Sequence, residues 1–231
     1  MNIKQFKKEF AIIKEYGYYK SIRKGNGGVG HTLEQLLGLK ENNISAPDLG
    51  KIELKAHRDY SKVPITLFTF DSWAIHPDEA IKRFGKQDRV HNYKSLHSQV
   101  TLTPNSHGLF LHITKKNVDM LHYKHGTLIA SWSIEDIEER FEQKFPSMIF
   151  VKAACEPHRG EVHGEHFWYY EAQLFRKPSI KTIAQQLKAG NMVIETRIHE
   201  REGRAARNHG TAFRANEDKL GQFFEMVDLI N

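Results

Sequence analysis

A chain of 231 residues and 26.8 kDa is long enough to bury a sizeable core, and an apolar share of 39% with 11% aromatics excludes wholesale disorder. One cysteine, Cys155, excludes an internal disulfide and a Cys-rich zinc motif, and no stretch approaches the ~20 apolar residues of a membrane span. The formal charge of +6 and a pI near 9.2 suit a polyanionic partner, although a modest lysine excess is also common in ordinary proteins. None of the 14 histidines forms an H-E-x-x-H zinc motif. Lysines recur from Asn2 to Glu15 with no long apolar run, so a cytoplasmic protein without membrane attachment is expected.

In chain order, Ile3, Phe6, Phe10 and Ile13 recur at helical spacing, which predicts an amphipathic helix over residues 2–16. A basic, glycine-rich loop follows, in which Arg23 and Lys24 lead into Gly25, Asn26, Gly27, Gly28 and Gly30. Glycines let a backbone approach a phosphate, and the two cations supply charge there. No Gly-Lys-Ser/Thr follows, so this is not a P-loop, and a merely flexible loop fits the residues equally well. A helix from Gly30 to Leu39 is expected next, burying Leu33, Leu36 and Leu37 with Glu34 at the edge of that stripe.

The stretch Ala46 to Lys55 carries the densest chemistry. Strand alternation sends Ile52 and Leu54 into the core and sets Glu53 and Lys55 together on the other face, about 7 Å apart. Pro47 and Gly50 allow a turn that folds Asp48 back toward Glu53. Two converging carboxylates with room for water suit Mg²⁺, which polarises a phosphate and lowers the pKa of an attacking water, while Lys55 positions that water or steadies developing charge. An Asp, a Glu and a Lys at a strand edge are also the ordinary make-up of a solvated face. Spacing alone does not separate the two.

The uncharged run Pro64 to Phe70 predicts a strand deep in the same sheet, hairpin-paired with residues 51–57, leaving His57, Arg58 and Lys62 on the connection. The pattern then predicts a short helix from Pro77 to Phe84, a polar, mobile segment over 86–98, and antiparallel strands over 108–114, 117–123 and 127–132. A helix capped by Ser133 follows, then strands at Met148 to Ala154 and Phe167 to Phe175, a helix capped by Ser179 and stopped by Gly190, and a strand from Met192 to His199. Asn216 to Met226 reads as a closing helix carrying Leu220, Phe223 and Phe224. Ahead of it Arg201, Arg204, Arg207, His209 and Arg214 form the strongest basic patch of the chain. Arginine binds guanine O6 and N7 bidentately and also binds phosphate without reading sequence; a solvated loop with Arg214 paired to Glu217 or Asp218 is the alternative.

Two stretches taken together resemble the MvaI/BcnI family of type II restriction endonucleases, relatives of the MutH mismatch-repair nicking enzyme. The first runs through Arg23-Lys24-Gly25-Asn26, Gly28-Val29-Gly30, Thr32-Leu33-Glu34, Ala46-Pro47-Asp48, Ile52-Glu53-Leu54-Lys55 and Thr66-Leu67-Phe68-Thr69; the second is Arg197-Ile198 with His209-Gly210-Thr211-Ala212-Phe213-Arg214. Residues 73–190 show little that aligns. The resemblance implies an α/β (α+β) fold of the PD-(D/E)XK, MutH-like kind, a mixed sheet flanked by helices. It implies one domain over residues 1–231, with a catalytic part over 1–75 plus part of the middle and a DNA-recognition part that includes 191–216.

By that similarity Asp48, Glu53 and Lys55 fall on the family's catalytic residues, Glu34 matches the acid on the preceding helix, and Asp48, Glu53 and the Leu54 carbonyl hold Mg²⁺. Arg197 and Arg214 match arginines that look like guanine readers with His209 beside them, and Arg23, Lys24 and Arg207 join the DNA-binding set. The implied activity is cleavage of double-stranded DNA at a short pseudopalindromic CC-N-GG site, leaving 5′-phosphate and 3′-hydroxyl ends. The implied enzyme is a monomer that cuts one strand at a time with a single active site, and a cognate DNA methyltransferase is expected in the same cell without direct contact. Arg207-Asn208 stands where the family pattern has a His-Asp pair, which leaves the central base and the full target open. Two other readings share parts of this pattern. One is a MutH-like repair nicking endonuclease directed by partner proteins, and the other a non-catalytic sequence-specific DNA-binding protein whose acidic motif is inert.

Overall fold

The computed structural model describes residues 1–39, 52–88, 90–158, 160, 164–178 and 183–230. Along the chain run α1 (Ile3–Tyr16), β1 (Tyr18–Lys20), α2 (Gly28–Leu36), β2 (Glu53–Arg58), β3 (Ile65–Thr69), α3 (Pro77–Phe84), β4 (Lys86–Gln87), β5 (Lys94–Val100), β6 (Leu109–Ile113) and β7 (Asn117–His122). They continue with β8 (Thr127–Ser133), α4 (Ile134–Lys144), β9 (Ser147–Pro157), β10 (Glu165–Arg176), α5 (Ile183–Lys188), β11 (Met192–Arg201), β12 (Arg204–Asn208), β13 (Ala212–Ala215) and β14 (Glu225–Ile230). A 3-10 helix, Glu217–Gln222, stands between β13 and β14. The fold is mixed α+β. It divides into two compact units, the first Met1–Val63 with Glu142–Pro178 and Phe223–Asn231, the second Pro64–Phe141 with Ser179–Gln222.

In the first unit the sheet order is β1-β10-β9-β2, with β14 also on β10. The long β9 and β10 pair antiparallel, and β2 lies parallel to β9 with Glu53 opposite Met148 and Leu54 opposite Ile149. Helix α1 forms because its apolar residues fall on one stripe and because Asn2 and Gln5 cap it reciprocally: the Gln5 N–H donates to Asn2 Oδ1 (2.9 Å) and the Asn2 N–H to Gln5 Oε1 (3.0 Å). Gly17, at φ 96°, ends it. Phe6, Phe10 and Ile13 from α1 and Val29 and Leu33 from α2 pack with Leu54, Ile149, Val151, Phe167 and Tyr169 of the sheet. Each fully buried phenylalanine of this core contributes about 2–3 kcal/mol. Phe145, Phe150, Phe175 and Phe224 form a second aromatic cluster. Alternation along β9 explains it, since Phe150 points away from Ile149 and Val151.

In the second unit the sheet order is β3-β13-β11-β5-β4, with β12 on β11, and β6-β7-β8 form a separate three-stranded meander. Phe68 of β3 lies opposite Phe213 of β13, their rings stacked at 4.7 Å, and Trp132 meets Phe213 edge-on at 5.7 Å. The Trp132 indole N–H donates to the Phe70 carbonyl at 2.9 Å, so the aromatic body is buried without stranding its polar group.

Three expectations change. β3 does not form a hairpin with β2; its aromatic partner is Phe213, far along the chain, while β2 is satisfied by parallel pairing with β9. The polar stretch 86–98 is not a mobile connection throughout, because β5 begins at Lys94 and pairs with β11, burying Leu96 and Val100. The closing helix is absent: Leu220, Phe223 and Phe224 mimic helical spacing, but only a 3-10 turn forms and the chain then pairs with β10 as β14. The expected Ser179 cap lies outside the described residues.

Candidate active site and nucleic-acid interface

Ile52, the residue before β2, and Leu54 on it are buried in the helix-covered core, and Glu53 and Lys55 of β2 face the other way, as alternation requires. Glu53 is only 1% exposed. Its carboxylate has an ammonium at each oxygen, with Lys55 Nζ 2.7 Å from Oε1 and Lys144 Nζ 2.8 Å from Oε2, the second an ion pair that lacks hydrogen-bond geometry and leaves Oε2 without a hydrogen-bond donor. A buried carboxylate is costly unless paired, and two ammonium groups compensate this one. Asp48 lies outside the described residues. Among the described residues no three His, Cys, Asp or Glu side chains cluster closely enough to hold a metal ion.

Glu34 sits on α2, half-exposed, with Oε2 3.7 Å from His31 Nδ1. Helix α2 is fastened to the sheet by Tyr169, whose hydroxyl donates to the Val29 carbonyl at 2.7 Å. Burial pushes that hydroxyl far above the usual phenol range, so it remains a donor.

The glycine-rich loop is built, not merely flexible. Arg58 donates through Nε and Nη2 to the two carboxylate oxygens of Glu165 (3.1 and 2.6 Å) and through Nη1 and Nη2 to the carbonyls of Asn26 and Gly25 (both 3.1 Å). The Ser21 hydroxyl donates to the Arg23 carbonyl at 2.7 Å. A Cβ on Gly28 would lie 2.5 Å from that same carbonyl oxygen, so only glycine fits there. Lys24, Tyr60 and Lys62 rim an open groove of about 690 Å³ beside this clasp. Arg58 is thus no solvent-facing residue of a connection. It ends β2, buried, and the alternation that puts Leu54 and Ala56 inward is the signal that assigns it.

In the second unit β11, β12 and β13 gather Arg197, Arg207, His209 and Arg214. Arg197 donates from Nε to the Gly210 carbonyl (2.9 Å) and from Nη2 to the His209 carbonyl (2.7 Å), so it braces the turn between β12 and β13. Asp71 braces the same turn, accepting from the Thr211 N–H (2.7 Å), the Thr211 hydroxyl (2.9 Å) and the Asn208 amide (3.0 Å). Arg214 donates to Glu195 Oε2 at 2.5 Å and to the Pro64 carbonyl; its partner is neither Glu217 nor Asp218. Burial alone would raise the Glu195 carboxyl, yet His97 and Arg214 outweigh it and hold the group below the usual carboxylate range. Tyr93 stacks on His199 at 4.8 Å, and His199 meets His209 in a tilted contact at 5.3 Å. Burial first, then the nearby Arg207, holds both histidines below the usual imidazole range.

Sequence reasoning missed Lys144, Glu165 and Glu195. Each reaches its partner through strand pairing or chain reversal that no local pattern encodes.

A model of the MvaI/BcnI restriction endonuclease family matches residues 7–224. The chain belongs to the MvaI/BcnI restriction endonuclease family. It is a type II site-specific deoxyribonuclease and a DNA-binding protein of a family that uses divalent metal ions. The endonuclease is similar to the solved complex of restriction endonuclease MvaI with cognate DNA, at 25% identity and a TM-score of 0.82, over 99% of each chain. It is similar also to MvaI in the absence of DNA, at 23% identity and a TM-score of 0.55, over 100% of this chain and 99% of that one. No curated protein sequence matches it. No helix among its described residues is long and apolar enough to cross a membrane.

Proposed function

We propose that the endonuclease hydrolyses DNA in a Mg²⁺-dependent reaction at a short pseudopalindromic site of CC-N-GG type, leaving 5′-phosphate and 3′-hydroxyl ends. The observation that carries this reading is the pairing of Glu53 with Lys55 on β2, a carboxylate 1% exposed with an ammonium 2.7 Å away. Glu53 and the Leu54 carbonyl are hard oxygen donors, and Glu53, a buried carboxylate that already draws two cationic groups to its oxygens, fits a divalent cation. Asp48 joins them by likeness to the family motif, and Glu34 supports the site from α2. When bound there, the cation supplies polarisation of the scissile phosphate and a lowered pKa for the attacking water. Lys55 orients that water and steadies the negative charge that develops on the phosphate.

The arginine segment does the reading in this proposal. Arg197 and Arg214 contact guanines, His209 lies beside them in the braced turn, and Arg207 adds charge. Arg23 and Lys24, on the loop clasped by Arg58, meet the phosphate backbone, where a fixed loop positions the duplex at little entropic cost. The proposed cutting residues Glu34, Glu53 and Lys55 belong to the first unit, and Arg197, Arg207, His209 and Arg214 to the second. The enzyme acts as a monomer, and a methyltransferase of the same specificity protects the host DNA without touching it.

Digestion of a plasmid of known sequence with the purified protein and Mg²⁺, followed by sequencing of the cut ends, tests the reading. Site-specific double-strand cuts that chelator abolishes are expected. Lys55→Ala should bind the site normally and cut about 100-fold more slowly or worse. Equal cleavage by this variant and the wild type sinks the catalytic assignment. Silence of the purified enzyme on every plasmid supports a nicking enzyme that depends on partner proteins.

A further inference from the structure

Glu53 has two lysines where the catalytic motif provides one. Lys55 belongs to the motif, but Lys144 arrives from the last residue of α4 and engages the other carboxylate oxygen at 2.8 Å. Its position is fixed on both sides. Phe145, fully buried, packs against Phe224 at 5.9 Å, and β9 starts at Ser147 with Met148 directly opposite Glu53. The Lys144 side chain is only 18% exposed, so its ammonium is not a surface charge in casual contact.

One ammonium is enough to neutralise one carboxylate. Two place on Glu53 the same charge that a divalent cation would bring. We infer that Lys144 is a positioning residue that holds Glu53 Oε2 as a resident counter-cation and competes with the divalent metal for it. This inference rests on the reading of Glu53 as a metal ligand. Its consequence is that the free protein holds metal weakly, because the cation must displace the Lys144 ammonium from Oε2 before that oxygen can ligate it.

The test is Mn²⁺ binding to the full chain without DNA, followed by electron paramagnetic resonance at pH 8. Lys144→Met, which keeps the length of the side chain and removes its charge, should bind Mn²⁺ about tenfold more tightly than the wild type. Lys144→Arg, which keeps the charge, should stay within about twofold of it. Glu53→Gln should lose the binding. If Glu53→Gln binds as the wild type does, the metal-ligand reading fails. If Glu53→Gln fails to bind while Lys144→Met binds no more tightly than the wild type, the competition fails alone. A crystal structure of the wild type with Mn²⁺ does not depend on any variant folding. With the ion on Glu53, Lys144 Nζ should have left hydrogen-bonding distance of Oε2, and its persistence there overturns the inference.

Discussion

Arg214 answers to two kinds of partner. Within the protein its guanidinium is committed to Glu195 and the Pro64 carbonyl, whereas the proposed guanine contact would need the same fork of donors. A loss of DNA binding in Arg214→Ala would therefore mix recognition with the cost of leaving Glu195 buried and without its arginine. We expect Arg214→Ala to lower stability by about 3 kcal/mol in chemical denaturation, and Glu195→Gln combined with it to recover most of that loss. Specific DNA binding should remain weaker by about 1–3 kcal/mol in both variants if Arg214 reads a guanine. An equal loss on all sequences would assign it to phosphate instead. The acid side gives an independent check. Because His97 and Arg214, against the opposing effect of burial, hold Glu195 below its ordinary value of 4.5, its contribution is present above that pH and is lost as pH falls through the folded value. Denaturation curves from pH 6 downward should show that loss in the wild type and not in Glu195→Gln.

At the scale of elements, the glycine-rich loop depends on one side chain. Arg58 bridges the end of β2, the carbonyls of Gly25 and Asn26, and Glu165 on β10, so Arg58→Ala should cost about 3 kcal/mol in urea unfolding and weaken binding to all DNA alike by releasing Lys24. Arg58→Lys should recover little, since a single ammonium cannot reproduce the fork. A stability change below about 0.5 kcal/mol in Arg58→Ala would show the clasp to be idle. The same side chain marks what the sequence makes legible. Elements with a local signature were readable: α1 from its Phe6, Phe10, Ile13 stripe, α3 from Pro77 at its start, β6 to β8 from alternation, and Glu53 beside Lys55 from the two-residue period of a strand. What depended on distant pairing was not. Phe68 finds Phe213, β2 finds β9 in parallel, and Leu220, Phe223 and Phe224 imitate a helix that pairing of β14 with β10 overrides. Lys144 is the sharpest case: nothing near it in sequence points to Glu53, and only the parallel register of β2 on β9 brings them together.

At the scale of the whole molecule the sequence contains one Glu53-Leu54-Lys55 motif, whereas a duplex has two strands to cut. A monomer with one such strand must hydrolyse the two phosphodiesters in separate chemical steps, turning around on the site or leaving and returning between them. Supercoiled plasmid with a single site should therefore pass through a nicked circle before it becomes linear, and the rate of the first cut should rise in direct proportion to enzyme concentration. With a net charge of +6, the protein should also stay on the plasmid longer at low salt, so less of the nicked form should be released there before the second cut. Raising salt should lengthen the life of the nicked circle added as a substrate in its own right, because that circle must be bound afresh. A cooperative enzyme that pairs two active sites across the duplex gives the opposite record. Linear product would appear without a nicked precursor, and the rate would rise with the square of enzyme concentration. That outcome would overturn the proposed monomeric action while leaving the chemistry at Glu53 and Lys55 untouched.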